Sequence, residues 1–84
     1  MIVELRAVPQ CPNLAATRET LLACLAEAGL APTVVERIGD FPSPSILIDG
    51  RDVTGADPDA PAACVLHPPT AGQIRAALSA AAGP

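Results

Sequence analysis

From Ile2 to Val8 the chain alternates, with Val3, Leu5 and Ala7 on one side and Ile2, Glu4 and Arg6 on the other. That is the period of a β-strand with one face buried better than the other. Pro9 and Pro12 bracket its end. From Leu14 to Leu30 the period becomes helical: Leu14, Leu21, Leu25 and Ala28 fall on one stripe, while Arg18, Glu19 and Glu27 lie at or beyond its edges and read as a solvated face. Gly29 supplies a stop signal, reinforced by Pro32. The β-branched run Thr33 to Ile38 predicts a second strand.

Gly39 to Pro44 reads as a loop, because Pro42 and Pro44 remove donors and push their predecessors away from helix. Ser45 to Ile48 is a short apolar strand. Asp49-Gly50 is a two-residue hairpin turn that returns the chain as an antiparallel strand over Arg51 to Thr54. After Gly55 the stretch ADPDAPAACVLHPP follows neither period and reads as a long loop, with Asp57 and Asp59 showing no evident partner. Thr70-x-x-Gln73 then forms a capping box ahead of Ile74, Leu78 and Ala81 at helical spacing.

The order β-α-β-β-β-α predicts an α/β sandwich of about four mixed strands with helices on its faces. The first two strands flank a helix long enough for a parallel crossover, and the last two form a hairpin. A ferredoxin-like βαββαβ unit would need a further strand after the last helix, where this sequence stops. At 84 residues there is room for one domain, 1–84, with one modest core.

Composition narrows the functions. Hydrophobic residues make up 50% of the chain and aromatics 1%, so the core is expected to be aliphatic. Nine acidic against five basic residues give a net charge of -4, which repels phosphate backbones and anionic lipid, so neither nucleic acid nor membrane is an expected partner. No apolar run approaches the roughly 20 residues of a membrane span, and the start of the chain does not read as a signal peptide. A cytoplasmic monomer is the expectation, and no cofactor motif is visible. There are no paired carboxylates, no Gly-rich phosphate loop and no Ser–His arrangement to argue for.

The three cysteines remain. Cys11-Pro12 sits where the first strand gives way to the first helix, and Pro12 suits the first helical position because its absent N–H would be unpaired there. Cys11 is thereby expected at or beside the N-cap, where helix N–H groups and the positive end of the macrodipole favour thiolate and lower the pKa. An inert small residue at a turn is the competing reading. Cys24 lies about 13 residues further on along the same helix. At roughly 1.5 Å per residue the two sulfurs stand well beyond disulfide reach, so Cys24 is expected to be a structural, half-buried thiol. Cys64 lies in the long loop, from which the chain can turn back toward the end of the first strand. Cys64-Val65-Leu66-His67 also offers a thiol and an imidazole at a spacing seen in metal sites, which with Cys11 could make a three-ligand site for zinc or a softer ion such as mercury; a solvent-facing His67 is the competing and preferred reading, and no metal site is assigned.

Strand–Cys11-Pro12–helix, a short strand introduced by Ser43-Pro44-Ser45, the Asp49-Gly50 hairpin and a closing helix together resemble the thioredoxin superfamily. Cys11-Pro12-Asn13, the segment Ser43-Pro44-Ser45-Ile46-Leu47-Ile48-Asp49-Gly50-Arg51-Asp52-Val53 and the later Cys64 are similar to short bacterial thioredoxin-like proteins often labelled alkylmercury lyase-like. The resemblance implies Cys11 as nucleophile and Pro44 as a cis proline lying against it. It also implies that Pro12, Ser43 and Pro44 form the surface on which a substrate docks. Leu14 stands where dithiol members carry their second cysteine. A resolving thiol must then come from Cys64, from a partner or from a low-molecular-weight thiol. The expected activity is thiol–disulfide exchange with a protein or small thiol. Soft-metal or organomercurial binding by Cys11 and Cys64, and a redox-silent interaction module, are the alternatives.

Overall fold

The computed structural model describes residues 1–61, 63–64 and 68–81, the side chains of 63 and 64 excepted. Its elements are β1 (Ile2–Ala7), α1 (Leu14–Glu27), β2 (Thr33–Ile38), β3 (Pro42–Ser43), β4 (Ser45–Ile48), β5 (Arg51–Asp52), β6 (Ala63–Cys64) and α2 (Ala71–Ala81). Four strands form one mixed sheet in the order β2-β1-β4-β5. β1 is central: it runs parallel to β2, from Ile2 opposite Thr33 to Ala7 opposite Ile38, and antiparallel to β4, from Val3 opposite Ile48 to Arg6 opposite Ser45.

Alternation along β1 becomes two chemically distinct faces. Val3 and Leu5 join Ile46 and Ile48 of β4, Leu21, Cys24 and Leu25 of α1, and Ile74 and Leu78 of α2 in one buried cluster. Both helices therefore lie on the same face of the sheet, giving two layers where helices on both faces were expected. The short link between β2 and β4 is why: two prolines and a two-residue strand leave no helix to cover the other side. That side carries Glu4, which takes the Arg6 guanidinium at 2.9 Å and faces that of Arg37 at 3.7 Å, while Arg6 lies 4.9 Å above the centre of the Phe41 ring.

The ends of the elements follow local chemistry. α1 stops at Glu27, short of the expected Leu30, because Gly29 takes a left-handed φ of 69°. Its N–H bonds the Ala26 carbonyl and the Leu30 N–H bonds that of Leu25, the paired contacts of a Schellman ending. Ala28, expected on the buried stripe, is the exposed C-cap instead. The hairpin forms as expected, with both Asp49 and Gly50 at positive φ, as a type I′ turn requires. Asp49 also accepts the Ile2 N–H at 2.8 Å, stitching the turn to the start of β1. β5 is shorter than the expected Arg51 to Thr54, since Asp52 Oδ1 draws both the Thr54 N–H and hydroxyl into a local turn. At α2 the capping box closes: Gln73 N–H donates to Thr70 Oγ1 and the Thr70 N–H donates to Gln73 Oε1.

Two charged residues assigned to a solvated helix face tie elements together. Arg18 pairs with Glu36 of β2 at 2.7 Å, and Glu27 pairs with Arg75 of α2 at 3.0 Å. The hydrogen bonds that Arg75 donates to the Glu27 carboxylate, and then the charge of that carboxylate, raise the Arg75 pKa above its ordinary value. Both pairs are exposed, so they orient the helices more than they stabilise them. No described helix is long and apolar enough to cross a membrane.

Candidate functional site at the end of the central strand

Past Ala7 the chain reverses through Val8-Pro9-Gln10-Cys11. The Cys11 N–H returns to the Val8 carbonyl at 3.3 Å and Gln10 sits at a φ of 59°. Proline second and a left-handed residue third is the arrangement of a type II turn. It holds Cys11 at the C-terminal end of β1, buried with 9% of its surface exposed.

α1 starts later than Pro12. Asn13 is its N-cap and Leu14 its first residue, and the Asn13 side chain makes no capping hydrogen bond. Pro12 thus lies outside the helix, exposed beside Cys11, and Cys11 is two residues ahead of the cap. The cause is a tight turn, in which the Leu14 N–H bonds the Cys11 carbonyl at 3.3 Å before the first α-helical bond runs from Thr17 N–H to Asn13 O. With no acidic residue in the first turn and no side-chain cap, the positive end of the helix is left uncompensated by its own side chains.

The second part of the site comes from β3 and β4. Ser43 and Pro44 are both fully buried, and the peptide between them is cis. Pro44 lies one step beyond the last antiparallel pair, Arg6 with Ser45, so it reaches the same end of β1 as the Cys11 turn. The Ser45 hydroxyl donates to the Pro42 carbonyl. Expectation and structure differ for the segment after Gly55. It is not loop throughout, because Ala63–Cys64 pairs in parallel with Pro42–Ser43, setting the Cys64 backbone opposite Ser43. The Cys64 side chain and all of His67 lie outside the described residues, and with them the question of which groups the Cys64 sulfur meets.

Cys24 is where the helix geometry puts it, remote from Cys11 and more deeply buried than expected at 2% exposure. Its thiol faces the Ala71 carbonyl at 3.8 Å, beneath a groove flanked by the Glu27–Arg75 pair. Asp57 has a partner after all, accepting the Asp59 N–H at 2.9 Å to close a turn in its own loop. Among the described residues no group of three or more His, Cys, Asp or Glu side chains is placed to hold a metal ion. The turn conformation at Gln10 has no signature in its residue type; Pro9 was the available signal for the turn itself. No protein-family model, no curated protein and no solved structure matches this chain.

Proposed function

We propose that this is a thioredoxin-like thiol protein that exchanges disulfides through Cys11. The observation that carries the reading is the place of Cys11, held by a backbone turn at the end of the central strand just ahead of an uncapped helix N-terminus. Such a position favours the thiolate, which is the attacking species. Of the expected docking residues Pro12 is exposed beside Cys11, where a disulfide-bearing protein or small thiol would approach, while Ser43-Pro44 reaches the same end of the sheet but is buried. The Cys11 thiolate attacks one sulfur of the substrate disulfide, forming a mixed disulfide and releasing the other sulfur as a thiolate. With Leu14 where a neighbouring thiol would stand, the second step falls to the Cys64 thiolate or to a low-molecular-weight thiol. That thiol attacks the Cys11 sulfur and frees the second half of the substrate, so two electrons pass to the substrate and the attacking thiol ends in a disulfide.

The test is incubation with oxidised glutathione at neutral pH followed by mass mapping. Cys11 should carry the mixed disulfide, Cys11→Ser should abolish it, Cys64→Ser should make it accumulate, and Cys24→Ser should change nothing. An unmodified Cys11 together with stoichiometric zinc or mercury binding that needs both Cys11 and Cys64 would replace this reading with metal capture. Neither property would leave a redox-silent module.

A further inference from the structure

The main sheet ends on one side at β5, two residues long, and on the other at β2, six residues long, whose outer edge pairs with no strand among the described residues. Pairing with β1 fixes which backbone groups of β2 point away from the sheet. The Gly39 N–H, directly after β2, bonds the Ala7 carbonyl at 2.9 Å. Backbone groups alternate sides along a strand, so Val35 and Arg37 also turn toward β1, while Val34, Glu36 and Ile38 present both N–H and C=O outward. These three stand opposite Val3, Leu5 and Ala7, which places their side chains on the helix face of the sheet. Val34 and Ile38 are large aliphatic side chains left exposed there, and so is Leu22, four residues along α1 from Arg18 and therefore on the same side of that helix. Both charges on the strand have partners, Glu36 in Arg18 and Arg37 in Glu4. A proline, a bulge or a free charge ordinarily keeps an edge from pairing, and β2 carries none of them.

We propose that β2 is the interface of a homodimer, in which two copies of the chain pair antiparallel along this edge with Glu36 opposite Glu36 of the second copy. Opposed residues of an antiparallel pair exchange hydrogen bonds only when both turn their backbone groups into the seam, so an outward residue must meet an outward residue. Of the two-fold symmetric registers this allows, only the one centred on Glu36 engages all three outward residues of both copies, with two bonds at each opposed pair. The same register sets Val34 opposite Ile38 of the second copy and Ile38 opposite its Val34, so the exposed aliphatic side chains cover one another. An unrelated strand would share the backbone bonds without this match, which is why the occupant is a second copy. The two Glu36 carboxylates meet at the axis, each already neutralised. Arg18 binds its own Glu36 through Nε, leaving its Nη donors for the carboxylate across the axis. One continuous sheet then runs through both copies, with every helix on one face, where the sequence led to the expectation of a monomer.

Sedimentation velocity of the full chain tests this, with reductant present so that no disulfide links the copies. Between about 5 and about 500 μM the wild type should pass from its chain mass to twice that mass. Ile38→Pro removes an outward N–H without touching the β1 ladder, and Ile38→Lys sets a charge against Val34 of the second copy. Each should keep the wild-type circular dichroism spectrum and weaken the dimer by about tenfold, since the change occurs twice at the seam. Arg18→Ala leaves two bare carboxylates at the axis and should weaken the dimer about threefold, while adding Glu36→Gln should recover it. A wild type that stays at its chain mass overturns the inference, as does a dimer unmoved by a folded Ile38→Lys. A dimer that Arg18→Ala with Glu36→Gln fails to recover overturns the register centred on Glu36.

Discussion

Replacing Leu21 with alanine deletes three carbons from the centre of the molecule. Leu21 has no exposed surface, and it sits in the cluster where α1 meets Val3 and Leu5 of the sheet and Ile74 and Leu78 of α2. Two helices and a sheet converge there, so the walls cannot collapse into the space without moving an element. The expected cost is in the upper part of the range for buried leucines, roughly 3 to 4 kcal/mol. A domain of this size has about 4 to 13 kcal/mol in total, so the variant should lose a large fraction of its stability. Its thermal midpoint should fall by roughly 12 to 25 °C, measured by circular dichroism or calorimetry. Leu22 is the internal control, one residue along the same helix and 50% exposed. Leu22→Ala gives up little burial and gains helix propensity, so it should stay within about 0.5 kcal/mol of wild type. Equal losses at the two positions, or a Leu21→Ala change under about 1 kcal/mol, would refute this packing.

The α2 capping box predicts that Thr70→Ala costs about 1 kcal/mol in urea denaturation, and that Gln73→Ala in the same background adds less than it does alone, because the two bonds are reciprocal. Glycine substitutions should split by backbone conformation. A Cβ at Gly50 meets nothing within 4 Å yet the residue has a φ of 85°, so Gly50→Ala should destabilise by about 1 kcal/mol through strain alone. Gly72, inside α2 with only Thr70 Oγ1 at 3.9 Å from such a Cβ, should gain roughly 0.5 to 1 kcal/mol as alanine.

How much of this was legible beforehand depended on whether burial left a period. β1 could be read because Val3, Leu5 and Ala7 alternate with Glu4 and Arg6, and α2 because Thr70, Gln73, Ile74 and Leu78 state both a cap and a stripe. α1 was blurred. Its exposed positions include Ala15, Ala16, Leu22 and Ala23, so only the largest buried side chains marked the inner face. The β3–β6 pairing had no signal, because two residues are too few to show alternation and one partner lies among prolines. For the candidate site, the strand–turn–helix junction located Cys11, while the delayed start of α1 turned on a single turn hydrogen bond after Pro12. That the buried Ser43 hydroxyl has no hydrogen-bond partner among the described residues could not be foreseen, since satisfaction depends on where every neighbouring carbonyl points.

The strand order has a consequence for how the chain is assembled during synthesis. β1 is made before β2 and β4 but lies between them, so one edge is satisfied once α1 and β2 have emerged. Its other edge waits for β4, with Val3 meeting Ile48. In that interval the β1–α1–β2 unit displays a bare strand edge and the apolar side chains destined for β4 and α2, the surface on which nascent chains associate wrongly. The hairpin at Asp49-Gly50 shortens that exposure. It is local and quick to form, so β4 can arrive already paired with β5, and the carboxylate of Asp49 then fastens the completed sheet to the Ile2 amide.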